Sequence, residues 1–213
     1  MTRKTLLACG ILSSLLYIAA DVLAGFYHPD YHSYWSLTVS ELSAIGSPTR
    51  PLVLPFFIAY GVLVIPFALG LRQSAVGNGA LHIAGTLMLA LGVINVIGFP
   101  FPIHVRGAAP TYNETMHIIL TALTVVVFLA AMGFAAAAFG KAFRLYSVVT
   151  IAVLLIFGAL AGFEGPKIAA NLPTPWVGAA ERINIGGYLI WQIVLAVRAW
   201  RVSAPARQMR LAA

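Results

Sequence analysis

The chain has 213 residues, 61% of them hydrophobic and 9% charged, whereas soluble domains run at ~25% charged and ~45–50% apolar. A mean hydropathy of +0.92 excludes an ordinary water-soluble domain, and the length is enough for about six spans of ~20 apolar residues with short connections. The net charge of +7 does not point to nucleic acid, because the basic residues stand singly beside apolar runs instead of forming a stripe.

Six apolar stretches, at about 6–26, 51–71, 80–101, 116–139, 145–163 and 175–200, are each long enough to cross a bilayer. Backbone groups in hydrocarbon must be satisfied within the segment, so the spans are helices and the fold class is an all-α polytopic bundle. The expectation is one integral-membrane domain over 1–213. Thr2-Arg3-Lys4 before the first run resembles the start of a signal peptide, but the run is long and reads as a span. Its lone Cys9 excludes an intrachain disulfide and a cysteine metal cluster. In the long linker that follows, Thr38 to Gly46 carries a cap signal, apolar positions, a terminal Gly and then Pro48, which predicts a short helix lying flat on the outer surface. Pro55 and Pro66 predict kinks in the second span. Thr38 with Glu41 and Thr111 with Glu114 both match the capping box. Gly158 and Gly162 predict a close helix–helix approach on the fifth span. Thr174-Pro175 predicts the cap and first residue of the sixth helix.

Basic residues set the expected orientation. With a cytoplasmic N-terminus the inside holds Arg3, Lys4, Arg72, Lys141, Arg144, Arg198, Arg201, Arg207 and Arg210, and the outside Arg50, Arg106, Lys167 and Arg182. That asymmetry places both termini in the cytoplasm of a multi-pass protein of the plasma or inner membrane. In this arrangement Asp21, Asp30, Glu41, Glu114, Glu164 and Glu181, which are all the carboxylates of the chain, fall in the outer half. His28, His32, His104 and His117 fall there too, and His82 lies near the inner face. Any chemistry is expected to face outward.

Polar side chains within spans usually face other helices, and ionisable ones mark functional sites by default. Glu114, His117, Thr121 and Thr124 recur at helical spacing on the fourth span, as do Glu181, Asn184, Tyr188 and Gln192 on the sixth and Ser14, Tyr17 and Asp21 on the first. Asn95 adds a polar group on the third. These stripes predict a shared polar cavity. Tyr27, Tyr31, Tyr34, Trp35, Trp176 and Trp200 read as interfacial belts. Glu181 lies too far into its helix to cap it, and Asp21, about 22 Å along the first helix, needs a partner such as Arg182, His117 or His104. The bland alternative for both is a structural ion-pair network. Glu114 and His117 form one Glu-x-x-His pair, and a dinuclear site needs two. A single zinc held by His104, His117 and a carboxylate such as Glu114 is chemically allowed, although spacing does not establish it. Ser40 and Ser43 are conceivable nucleophiles, but the sequence does not place a base beside them.

The run Ser40-Glu41-Leu42-Ser43-Ala44-Ile45-Gly46 after the first span, His117 at the start of the fourth, and Gly178 with Glu181-Arg182 opening the sixth carry a resemblance. Over nearly its whole length the chain resembles the prokaryotic membrane family catalogued as domain of unknown function 998. The resemblance implies a six-helix membrane protein without an assigned activity, and it supplies no catalytic residues.

The preferred functional expectation is an outward-facing pocket that binds a lipid-like or amphipathic ligand, with membrane lipids as partners and no nucleic acid. Asp21, Glu41, His104, Glu114, His117, Glu181 and Arg182 are expected to line it. The enzyme alternative is a hydrolase of a lipid ester or amide, with His117, Glu181 and Asp21 as candidate catalytic groups and zinc as the candidate cofactor. A third alternative is a structural or interaction protein whose polar network only holds the helices together.

Overall fold

The computed structural model describes residues 1–28, 31–109 and 111–202. Its long helices are α1 (Arg3–Tyr27), α3 (Arg50–Ser74), α4 (Gly79–Gly98), α5 (Tyr112–Ala138), α6 (Lys141–Phe163) and α8 (Val177–Val202), joined by two short ones, α2 (Val39–Leu42) and α7 (Gly165–Ala169). Six helical segments are long and apolar enough to cross a membrane. The chain is an all-α bundle of a multi-pass membrane protein. Neighbours in space run α1, α3, α4, α5, α6, α8 and back to α1, which closes a ring, and the seam between α5 and α6 is the loosest of the large contacts.

The helices form where apolar residues can propagate without interruption, and they stop at identifiable signals. Thr2 and Asn78 cap α1 and α4, each side chain accepting a backbone N–H of the first turn. α4 ends at Gly98, three residues short of the predicted 101, because Pro100 and Pro102 cannot continue its hydrogen bonding. α3 is continuous through Pro55 and Pro66. A common core of Leu7, Phe67, Leu71, Met88, Met132, Trp191 and Leu195 fills the middle and the short-loop end. There Lys4 sits 5.9 Å over the Trp200 ring, joining the first and last helices at the same end of the bundle.

Deeper polar groups close on one another. The Gln192 amide donates to the Gly10 carbonyl at 3.0 Å and to the Ser13 and Ser14 hydroxyls at 2.9 Å. It accepts from the Tyr188 hydroxyl at 3.0 Å. Ser14, Tyr188 and Gln192 therefore do not extend the predicted cavity; they bind α1 to α8 in a buried network. The predicted shared cavity takes Glu114, His117 and Thr121 from α5 and Glu181 and Asn184 from α8, and no member of the α1 stripe.

At the opposite, loop-rich end the connections fold into the bundle. The surface helix predicted over Thr38 to Gly46 is a single turn, Val39–Leu42, and it is buried rather than flat on the surface: Val39, Glu41 and Leu42 are 1%, 5% and 0% exposed. Leu42 packs with Ala20, Ala24, Tyr34 and Val53, and this second core pins the linker onto α1 and α3. Tyr34 is therefore a core residue and not part of an interfacial belt. Tyr27, Trp35 and Trp176 remain exposed. The linker also contains an unpredicted 3-10 turn, Tyr31–Ser36. Ile45 N–H donates to the Ile103 carbonyl at 2.8 Å and Val105 N–H to the Ile45 carbonyl at 3.2 Å, which lashes the first linker to the one between α4 and α5. The sixth long helix begins at Val177, not Pro175, and the hydroxyl of Thr174, its predicted cap, is engaged elsewhere. It donates to the Ser36 carbonyl at 3.2 Å and accepts from Arg106 Nη1 at 2.7 Å.

Candidate functional site

Between α5, α6, α7 and α8, under the folded linkers, lies a chamber of about 870 Å³, inside the ~300–1,000 Å³ range of small-molecule pockets. Of the predicted site residues, Glu41, His104, Glu114, His117 and Glu181 line it. Asp21 and Arg182 do not. Asp30, Arg207 and Arg210 lie outside the described residues, as does the side chain of His32.

The chamber is two-faced. Its polar end is built by Ser40 and Glu41 from the first linker, His104 and Arg106 from the next, and Glu114 and His117 from the start of α5. Its mainly apolar wall continues down α5 through Ile118, Ala122 and Val125 and across to Gly158, Ala161 and Gly162 of α6, interrupted by the polar side chains of Thr121 and Asn184. Of the predicted close-approach pair, only Gly158 permits such an approach. A side-chain carbon on Gly162 would meet nothing within 4 Å, so this glycine leaves space in the wall instead of packing a neighbour. One on Gly158 would lie 2.9 Å from the Asn184 amide, which uses that room to donate to the Leu154 carbonyl. A smaller hollow of about 170 Å³ adjoins below, lined by Asn95, His117, Thr121 and Thr124.

Arg106 holds the polar end together. Its Nε and Nη2 form a fork on the Glu41 carboxylate, the Nη2 contact being 3.0 Å. Nη2 also donates to the Ser36 carbonyl at 2.8 Å, and Nη1 to Thr174 and to the Leu172 carbonyl. All five N–H groups of the guanidinium thus have acceptors, which makes Arg106 a clamp between three linkers. Glu41 also completes its capping box, accepting the Thr38 N–H at 2.7 Å. Both roles weighed for this carboxylate, cap and chamber wall, hold together.

Glu114 behaves similarly. One oxygen accepts the Thr111 N–H at 2.8 Å, as the capping box requires, and the other accepts His104 Nδ1 at 2.6 Å and the His104 backbone N–H at 2.9 Å. Because a carboxylate only accepts, Nδ1 carries the hydrogen. His117 is held by different partners. Its Nδ1 lies 3.3 Å from the Phe101 carbonyl and its Nε2 3.2 Å from the Ser40 hydroxyl. Among the described residues no three His, Cys, Asp or Glu side chains converge as a metal site requires. His104, His117 and Glu114 share the chamber without forming a three-ligand centre.

The other predicted carboxylates have structural partners. Arg182 Nε donates to Asp21 at 3.0 and 3.2 Å, Nη1 donates to the Leu37 carbonyl at 2.8 Å, and the guanidinium lies 3.7 Å over the Tyr34 ring. The Tyr34 hydroxyl donates to Asp21 at 2.9 Å. Burial and then the neighbouring Asp21 carboxylate push the Tyr34 phenol up to about 12. Glu181 accepts the Val39 N–H, so it caps α2 from another helix. Gly178 makes that docking possible: a side-chain carbon there would collide with the Leu37 and Trp35 carbonyls.

Two features were hidden from sequence reasoning. The Ser40–His117 contact joins residues 77 apart in the chain, and no local spacing signals it. Arg106 reads in the sequence only as a loop charge, although a lone arginine in a linker between segments that carry acids is a signal in principle. No curated protein and no solved structure matches the chain. Residues 11–198 match the family described as "Protein of unknown function (DUF998)", and with the match spanning most of its length the chain belongs to that family.

Proposed function

We propose that the protein binds an amphipathic, lipid-like ligand in the chamber, with the acyl portion along α5 and α6 and the polar group among Ser40, Glu41, His104 and Glu114. The observation that carries this reading is the chamber's division into an apolar wall and a polar end, which matches a molecule divided the same way. The position of the chamber supports it too: the loose α5–α6 seam lies beside it, and these helices carry exposed Val126, Ile156 and Leu160 outside the chamber lining. Glu41, Glu114 and Glu181 outnumber the lining cation Arg106, whose donors are all engaged. This balance favours an uncharged or cationic polar group over a phosphate. The basic-residue asymmetry supports a chamber open toward the outer leaflet of the cell membrane, with both termini cytoplasmic.

The test is lipid extraction from protein purified in mild detergent, followed by mass spectrometry. Wild type is expected to carry a lipid at near-stoichiometric level. Gly162→Leu, which fills open space in the wall, is expected to lower that level at least fivefold with unchanged thermal stability. Equal retention by the two proteins would overturn the reading.

A further inference from the structure

We propose that Ser40 and His117 are a nucleophile–base pair that hydrolyses the carboxylic ester of a long-chain acyl lipid held in the chamber; this rests on the lipid-binding reading above. The backbone carbonyl of Phe101 can only accept, so the hydrogen at His117 Nδ1 is fixed there, 3.3 Å away. In the neutral imidazole Nε2 is then the unprotonated nitrogen, and it faces the Ser40 hydroxyl at 3.2 Å. This is the arrangement that activates serine: a base within reach of the hydroxyl, itself oriented by a third group on its other nitrogen. A backbone carbonyl takes the place a carboxylate often fills.

Both residues line the chamber, and Ser40 is neither buried nor fully exposed. Their level in it is also suitable. From His117 the lining residues Ile118, Ala122 and Val125 continue down α5 for about 12 Å at ~1.5 Å per residue, which places an acyl chain below the pair and its ester carbonyl beside it. Arg106 and Glu41 act as positioning residues. Their fork fixes the residue next to Ser40, and Leu42 anchors the same turn in the core.

Ser40 Oγ bonds to the ester carbonyl carbon as its proton passes to His117 Nε2. The carbonyl–alkoxy C–O bond then breaks, and the leaving alcohol takes that proton from Nε2. Water attacks the acyl-serine, giving a proton to Nε2. The Ser40–acyl bond breaks, the fatty acid leaves, and Nε2 returns the proton to Ser40. Ester and water become acid and alcohol, with no oxidant or metal required.

The experiment uses a decyl fluorophosphonate on full-length protein in detergent micelles, read by intact mass and peptide mapping. Ser40 displaces fluoride at phosphorus and keeps a stable phosphonyl adduct. Wild type is expected to gain one adduct on the peptide containing Ser40. Ser40→Ala is expected to abolish it, and Ser43→Ala to leave it unchanged. His117→Asn is expected to slow labelling by about 10²–10⁴, the usual contribution of a general base. The labelling rate should also rise with pH through a single ionisation that the Asn variant lacks, which a hydrogen bond of purely structural value would not produce. Each variant is paired with the lipid-retention measurement and a thermal melt. Folded wild-type protein that retains lipid yet gains no adduct at Ser40 overturns the proposal and leaves the binding reading standing. Labelling that His117→Asn does not slow in folded protein overturns the pairing. An adduct at Ser40 in protein whose retained lipid is unaffected by Gly162→Leu refutes the binding reading as framed, and with it the acyl-lipid substrate.

Discussion

Replacing Arg182 by Met separates a structural ion pair from a ligand-binding one. In the wild type the Arg182 and Asp21 side chains are 10% and 17% exposed, with Nε 3.0 Å from the carboxylate. Methionine keeps much of the apolar stem but removes the charge, leaving Asp21 enclosed with the Tyr34 hydroxyl as its remaining side-chain donor among the contacts described above. Breaking a buried pair on one side costs about 3–5 kcal/mol. Loss of the guanidinium over the Tyr34 ring adds about 0.5–2 kcal/mol. Asp21→Asn makes the complementary lesion, and the double variant should be less destabilised than the sum of the singles by about 1–3 kcal/mol. Unfolding in mixed micelles with increasing denaturing detergent, followed by far-UV circular dichroism, measures all four proteins. Lipid retained per folded molecule should stay at the wild-type level, since neither residue lines the chamber. Strict additivity, or an Arg182→Met protein within about 0.5 kcal/mol of wild type, a change typical of an uninvolved surface site, would refute the argument. Selective loss of lipid from stable protein would refute it as well and return both residues to the binding site.

Arg106→Lys is expected to fail as a conservative change, losing at least about 2 kcal/mol, because a lysine cannot form the fork on Glu41 and also reach Ser36 and Thr174; the same detergent titration checks it. Gln192→Leu should cost only about 1 kcal/mol despite its several partners, since hydrogen bonds between membrane helices are individually weak; a loss above about 3 kcal/mol in that titration contradicts this. Gly70→Val should be far more damaging than Gly162→Leu, because a carbon at Gly70 lies 2.9 Å from Leu6 and 3.0 Å from the Leu7 backbone while Gly162 faces space; the two melting temperatures decide. Tyr34, raised to about 12 by burial and then by Asp21, binds its proton more tightly folded than unfolded, where phenols titrate near 10. Its contribution is therefore complete below about pH 10 and lost as pH rises toward 12. Tyr34→Phe should flatten that part of the stability–pH curve, and an unchanged slope would count against the assignment.

The six helices and the two capping boxes were legible in the residues alone, because hydrocarbon leaves the backbone one solution and caps are set by neighbours a turn apart. Periodicity also gathered Glu114 with His117 and Glu181 with Asn184. It did not separate members that reach open space from those that close on each other: Gln192 and Tyr188 follow the same stripe as Glu181 but end in a buried network with Ser13 and Ser14. That Asp21 is satisfied by Arg182, that α2 is buried, that Gly162 leaves room in a wall while Gly158 admits the Asn184 amide, and that Ser40 meets His117 all follow from the packing in three dimensions. Each of these depends on where a linker docks between helices distant in sequence. Docking is fixed by long-range complementarity, such as the Arg106 fork and the Leu42 anchor, which no local pattern encodes.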